Sequence, residues 1–336
     1  MLNGMRNFAQ GLLDRAAKAG TPALRASGGW LAREEAIMGT AIRVELWSDD
    51  RAKGEAAIAA VMREMHRIDA AMSPFKPDSE LSRINRYAAQ AAVPVSQEMC
   101  TLLQRSIEFS VASDGAFDVT FASVGCLYDY RAGIKPTESE LAAARAAIGY
   151  QNLVLDAAAR TVRFARSGVR IDLGGFAKGY AVDNGAAILR RHGIEHGIVT
   201  AGGDSHIIGD RRGRPWAIGI RDPRRDGAVI AMLPLENTAL STSGDYERFF
   251  EADGVRFHHV IDPKTGKSPS HLQSVTILAP DGLTTEALSK CVFVMGAVKG
   301  LQFIESRPGV DAVVVDDMGA LHYTTGLLDD VPRGPQ

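Results

Sequence analysis

Ile171-Asp172-Leu173-Gly174-Gly175-Phe176-Ala177-Lys178-Gly179-Tyr180 is the stretch from which the rest of the chain is read. Val169 to Leu173 has the pattern of a strand, Gly174-Gly175 permits a tight turn, and Phe176 to about Arg190 has helical spacing. Glycines at a helix entrance let a ligand approach backbone N–H groups, which together with the helix dipole favour an anion such as phosphate. Lys178 falls in the first turn, where an unpaired positive charge opposes the dipole, so a compensating anion is expected beside it. A plain strand-to-helix connection with a solvated lysine accounts for the same residues, and spacing alone does not choose between the two.

C-terminal to this helix, short strands dominate: Gly197–Thr200, Ser205–Ile208, Trp216–Ile220, Ala228–Leu233, Thr238–Thr242, Arg256–Ile261 and Ser274–Leu278. A helix over Thr285–Gly296 and a strand over Ala312–Val315 close the series. On the N-terminal side, Ala41–Trp47 alternates apolar and polar residues as a half-buried strand does. Helical spacing follows over Arg51–Met72 and Ser96–Ser113, the second with Ser96 as cap. Between them, Pro74 and Pro77 fix an extended entry, and Ser79 or Asp78 caps a short helix. Pro136–Gly149 reads as a further helix, and Leu153–Leu155 with Thr161–Phe164 as a hairpin. Helices early and hairpin-spaced strands late make the fold class α+β, with mixed or antiparallel sheets and flanking helices, rather than a βαβ alternation.

The chain of 336 residues has a net charge of −2, with both signs interspersed and no lysine-arginine tract, so nucleic-acid binding has no electrostatic footprint. No apolar run has the length of a membrane span. Cys100, Cys126 and Cys291 are far apart and odd in number; they show no metal-ligand spacing, nothing suggests a disulfide framework, and they read as buried or semi-buried thiols. Met5–Arg15 has the pattern of a short amphipathic helix, joined by a loose link to Gly29. Residues 1–33 are therefore read as a flexible arm, a docking helix being the alternative.

Four other segments have the residue types of a chemical site. Ala201-Gly202-Gly203-Asp204 is a second tight turn after a strand. Gly115-Ala116-Phe117-Asp118 puts an acid beside an aromatic at a helix end, which suits a ring and its hydrogen-bonding edge, or simply an aspartate-capped turn. Phe257-His258-His259-Val260-Ile261-Asp262-Pro263 runs a strand into a turn, and alternation puts the two histidines on opposite faces, unable to share a metal. A lone histidine is most often structural; of the eight in the chain, His259 is the first choice for acid–base work. Ser241–Tyr246 clusters hydroxyls but lacks a nucleophile elbow, and reads as a polar turn.

Taken together and in order, Met38-Gly39-Thr40, Met72-Ser73 through Leu81, Gly115–Asp118, Asp172–Tyr180, Ala201–Asp204 and His259–Gly266 resemble the ApbE family of FAD:protein FMN transferases. The resemblance implies an FAD cleft between two intertwined lobes over residues 34–330, with 331–336 a tail. It implies a magnesium-assisted reaction in which FMN passes from FAD to a serine or threonine hydroxyl of an acceptor flavoprotein and AMP leaves. It implies cofactor contacts at Met38, Phe75, Ala116, Phe117, Asp118, Asp172, Lys178 and Val260, and a catalytic histidine at His259. The family usually has tyrosine where this chain has Phe75, which keeps ring stacking and loses a hydroxyl.

For the metal, the resemblance implies the Gly175 carbonyl and a late helix that commonly opens Asp-Ala-Leu-x-Thr. This chain has Glu286-Ala287-Leu288-Ser289-Lys290 instead. Glu286 keeps carboxylate oxygens, whereas a charged Lys290 at the third ligand position ligates nothing. Three readings follow: a metal held by fewer groups, a Lys290 ammonium supplying part of the charge itself, or a simple i,i+4 pair in an impaired enzyme. Alternatives in function are an FAD-binding or assembly protein, and a pyrophosphatase giving FMN and AMP. Without a signal sequence or a cysteine ahead of Cys100, a cytoplasmic location is expected, although exported relatives keep the periplasmic side open.

Overall fold

The computed structural model describes residues 28–329; most of the N-terminal arm and the tail lie outside that range. The strands are β1 (Gly29–Ile37), β2 (Thr40–Ser48), β3 (Val93–Pro94), β4 (Leu153–Asp156), β5 (Thr161–Phe164), β6 (Gly197–Ala201), β7 (Asp204–Ile208) and β8 (Trp216–Arg221). They continue as β9 (Val229–Leu235), β10 (Ala239–Gly244), β11 (Phe249–Ala252), β12 (Val255–His258), β13 (Leu272–Ala279), β14 (Asp311–Asp316) and β15 (Leu321–Tyr323). The helices are α1 (Arg51–Met72), α2 (Glu80–Tyr87), α3 (Gln97–Ala112), α4 (Ala122–Gly125), α5 (Glu138–Arg145), α6 (Ala177–Arg191), α7 (Gly282–Met295), α8 (Ala297–Glu305) and α9 (Gly326–Asp329).

Eight strands form one sheet in the order β1-β2-β6-β7-β10-β13-β14-β15, antiparallel at every pairing. Helix α1 packs on β1 and β2, α6 on β6 and β7, and α7 on β10 and β13; α6 also touches both α1 and α7. Beneath these helices lies the main core, to which Val44, Val199, Val275 and Ile277 contribute from the sheet. Ile198, Ile207, Leu240 and Leu278 face the opposite way, into a smaller cluster with Trp216 of the β8–β9 hairpin. Because both faces of the central strands are covered, β13 is buried along its whole length. The fold is thus the expected α+β class, with antiparallel sheets.

Caps place the helices where the sequence puts them. Ser79 Oγ accepts from Ser82 N at 3.0 Å to start α2, and Ser96 Oγ accepts from Met99 N at 3.1 Å to start α3. Helix α7 begins earlier than its periodicity indicates. Asp281 caps it through Thr284 N at 2.8 Å, and Asp183, reaching across from α6, accepts from Gly282 N at 2.6 Å and Leu283 N at 3.0 Å. Asp183 also meets His206 Nδ1 at 2.7 Å, so one carboxylate ties α6, α7 and β7 together.

Three expectations are corrected. Val169–Leu173 is extended but unpaired with any strand: the Asn85 amide takes the place of a neighbour, accepting from Ile171 N at 2.8 Å and donating to Ile171 O at 2.9 Å. The strand expected over Arg256–Ile261 ends at His258, after which His259 N donates to Arg248 O and the chain turns through Asp262. The first strand starts at Gly29, inside the stretch assigned to the arm; β1 pairs with β2 along its length, and Trp30 packs edge-on against Trp47 and Trp216.

Helices α6 and α7 cross in backbone contact at Gly179 and Gly282; a Cβ on Gly179 would fall inside the van der Waals envelope of the Gly282 carbonyl. Gly179→Ala is therefore expected to cost about 1–3 kcal/mol, the usual range for overpacking. Gly29→Ala, where a Cβ meets nothing within 4 Å, stays within about 0.5 kcal/mol of wild type. Equal urea midpoints for the two variants would contradict this crossing.

Candidate functional site: a cation-edged cleft behind the Gly-Gly turn

The turn after Leu173 opens onto a cleft of about 440 Å3. Residues that sequence analysis singles out line much of it: Phe75, Ala116, Phe117, Asp118, Asp172, Gly175, His259, Val260 and Lys290. Phe75 stands at 88% exposure, an aromatic ring with one wall of the cleft behind it and solvent in front. Asp118 is buried, accepting from Thr120 N at 2.8 Å, Thr120 Oγ1 at 2.6 Å and Tyr150 N at 2.6 Å. Burial raises its carboxyl above the ordinary range against those three donors. Asp172 accepts from Gly174 N at 2.6 Å, shaping the turn; burial raises its pKa too, while that hydrogen bond, Arg248 and Lys178 pull the other way.

Three of the singled-out residues do not line this cleft. Met38 lines a neighbouring hollow with Thr40, His66, Asp69 and Lys76. Lys178 and Glu286 belong to a cluster of charges behind the cleft wall. Lys178 Nζ is 2.9 Å from Asp204 Oδ2 and pairs with Glu286 Oε1, while Gly179 N donates to Glu286 Oε2 at 2.8 Å. The anion that the position of Lys178 calls for is therefore supplied by the protein. Burial alone would depress the Lys178 ammonium, but Asp204 and Glu286 outweigh it and hold its pKa above the usual lysine range. Glu286 is 0% exposed.

Lys290 joins this cluster from the other side, its Nζ 3.6 Å from Glu286 Oε1 and 3.4 Å from Ser289 Oγ. Ser289 in turn meets Ser243 at 2.8 Å, so the hydroxyl cluster after β10 is part of this support. Of the four charged groups, only Lys290 also lines the cleft. Burial pushes its pKa down and Lys178 adds to that, while Glu286 and Asp204 oppose it. Asp204 Oδ1 is buried without a hydrogen-bond partner.

The two histidines have different surroundings, but strand alternation does not set this, because β12 ends at His258. His258 is buried and bonds Pro269 O through Nε2 at 2.8 Å, a structural histidine. His259 lines the cleft, and its Nδ1 is buried without a partner. Burial, then the charges of Lys290, His258, Arg248 and Lys178, lower its pKa to about 3. It is a neutral imidazole at physiological pH, able to accept a proton.

Arg248, Asn85, Tyr128 and Tyr130 line the same cleft and are absent from the sequence reading. Tyr128 and Tyr130 stack with ring centroids 5.8 Å apart, and the buried Tyr130 hydroxyl has no partner. The Asp-Tyr dipeptide at 129–130 follows no periodic segment, and Arg248 is one of many arginines, so neither carries a sequence signal. Cys126 is exposed and lines the cleft, whereas Cys100 and Cys291 are buried as expected.

Aromatic walls, three cationic side chains (Arg170, Arg248 and Lys290), a glycine turn and a neutral imidazole thus meet in one cleft. The chain belongs to the ApbE family, whose profile matches residues 38–314. It is 32% identical to the FAD:protein FMN transferase of Treponema pallidum over 89% of this chain and 88% of that protein. Identity to the Haemophilus influenzae protein of the same name is 34%, over 80% and 82% of the two chains. The crystal structure of the ApbE protein of Thermotoga maritima superposes with a TM-score of 0.83 at 34% identity, covering 89% of this chain and 98% of that one. The flavin transferase ApbE of Vibrio cholerae gives 0.80 at 28% identity, over 90% and 100%.

The neutral His259 has a measurable consequence. Between pH 6.5 and about 3 the unfolded chain binds a proton on this imidazole that the native chain does not, so stability falls as the pH is lowered through that window. The His259 ring resonances are expected to show no titration between pH 8 and 5; a midpoint near 6.5 would refute the assignment. Replacement with glutamine should flatten this part of the stability–pH slope.

Proposed function

We propose that this chain transfers FMN from FAD to a serine or threonine hydroxyl of a partner flavoprotein, forming a phosphoester and releasing AMP. The observation that carries the proposal is the meeting of a neutral His259 with Arg248, Lys290 and the Gly174-Gly175 turn in one ring-lined cleft. The names of the relatives favour the same chemistry. Phosphoryl transfer asks little covalent chemistry of a protein; it asks for positioning and for neutralisation of charge. Phe75, Phe117 and Val260 supply the apolar surface for the rings. Ala116 and Asp118 sit at a ring edge, and Asp172 lies beside the pyrophosphate turn. His259 takes the proton from the acceptor hydroxyl as its oxygen attacks the FMN-side phosphorus. The bond to the AMP phosphate breaks, and AMP departs with the bridging oxygen.

The magnesium ion implied by the family resemblance does not fit the residues at the late helix. Glu286 already accepts from Lys178 and Gly179, and Lys290 stands 3.6 Å from it where a ligand would be needed. Two ammonium groups face two carboxylates, Asp204 and Glu286, so the cluster's charge is closed. Among the buried side-chain oxygens of this cluster only Asp204 Oδ1 lacks a partner, and with the Gly175 carbonyl it falls far short of the roughly six oxygens that magnesium takes. Among the described residues no three His, Cys, Asp or Glu side chains gather to hold a metal.

The test is incubation with FAD and an acceptor flavoprotein, followed by mass spectrometry of the acceptor and assay of AMP. Covalent FMN and AMP in equal amounts are expected. His259→Ala should lower transfer at least about a hundredfold, the scale of a general base, with FAD affinity kept within a few-fold. AMP without adduct would contradict the proposal, as would near-wild-type transfer by the variant.

A further inference from the structure

We propose that Lys290 is the site's built-in cation, meeting the pyrophosphate of FAD where a bound divalent ion would otherwise be required, so that this chain binds and turns over FAD without divalent metal. The proposal rests on the FAD reading of the cleft given above.

Geometry separates the two lysines of the cluster. Lys178 is committed: it is shared between Asp204 and Glu286 and does not line the cleft. Lys290 touches only one of those carboxylates, at 3.6 Å, and is itself a lining residue of the cleft, together with Gly174, Gly175 and His259. Glu286 is fully buried and fixed by Gly179 N and Lys178, so it is a rigid anchor for the Lys290 head group. An ammonium carries three donors and no acceptor, and so serves as a point charge toward phosphate oxygens. Arg170 and Arg248, on the same cleft, add further positive charge.

The arrangement also repels the ion it replaces. A divalent cation beside Glu286 would stand within a few ångströms of two ammonium groups while gaining only one free buried carboxylate oxygen. In the transfer, the acceptor oxygen bonds to the FMN-side phosphorus and its proton goes to His259. The P–O bond to AMP breaks with its electron pair on the departing oxygen, and the Lys290 head group stands near that charge. No oxidant, reductant or further co-reactant enters.

The experiment uses the whole chain, FAD, manganese(II) as the metal probe, and EDTA. FAD affinity, read by flavin fluorescence, is expected to change less than about twofold between EDTA and millimolar manganese, and the manganese EPR signal should remain that of the free ion. Lys290→Met should weaken FAD binding at least about tenfold, and Lys290→Arg should restore most of it. The double change Glu286→Asp, Lys290→Thr, which introduces the residues common in the family, should bind manganese and make FAD binding sensitive to EDTA. Thermal unfolding of each variant checks that it is folded. Manganese uptake by the wild-type chain, or wild-type FAD binding lost in EDTA, would overturn the proposal. So would FAD binding unchanged in a folded Lys290→Met. The binding arms judge Lys290 even if no acceptor is ever modified, an outcome that would count against the transferase reading alone.

Discussion

The fully buried carboxylate of Glu286 is the constraint on which the rest of the site depends. An ionised carboxylate withdrawn from water loses several kcal/mol unless close donors replace the solvent. Here Lys178 and Gly179 N replace it, and both lie in the first turn of α6. They can reach Glu286 only because α6 and α7 touch backbone to backbone at Gly179 and Gly282. Asp183 fixes the crossing by capping α7 from the flank of α6. Packing, capping and charge are thus one arrangement: loosening the crossing would strand a buried charge.

That arrangement decides which charges the cleft receives. Lys178, the cation at the head of the helix, is consumed inside the protein, and the outward-facing charge passes to Lys290 one turn beyond Glu286. With Arg248 it surrounds His259 with positive potential, which together with burial holds the imidazole neutral. A neutral base beside fixed cations suits a reaction in which a hydroxyl loses its proton while phosphate oxygens gain charge. The same cations therefore help to keep His259 in its neutral form.

Much of this was legible in the sequence. Local signals sufficed for the elements that obey them: Ser79 and Ser96 start helices because their hydroxyls cap, and α1 follows its apolar period. Order and spacing of the short motifs sufficed for the family, and most residues so marked do share one cleft. Signals failed where a distant side chain decided the outcome. Val169–Leu173 has a strand's composition, yet Asn85 satisfies its backbone in place of a neighbouring strand. The partners of Lys178 come from β7 and α7, far along the chain, so its helix-start position indicated an anion without saying whose. Arg248 and Tyr130 reach the cleft through tertiary packing alone, and no pattern in the sequence marks them.

In this site a charge-closed cluster would offer the ligand the Lys290 ammonium in place of a metal. Crystals of the chain grown with FAD and soaked in manganese test it most directly through anomalous scattering. FAD phosphate oxygens are expected within hydrogen-bonding distance of Lys290 Nζ, with no anomalous peak beside Glu286. A manganese peak coordinated by Glu286 and the Gly175 carbonyl, with Lys290 turned away, would contradict it.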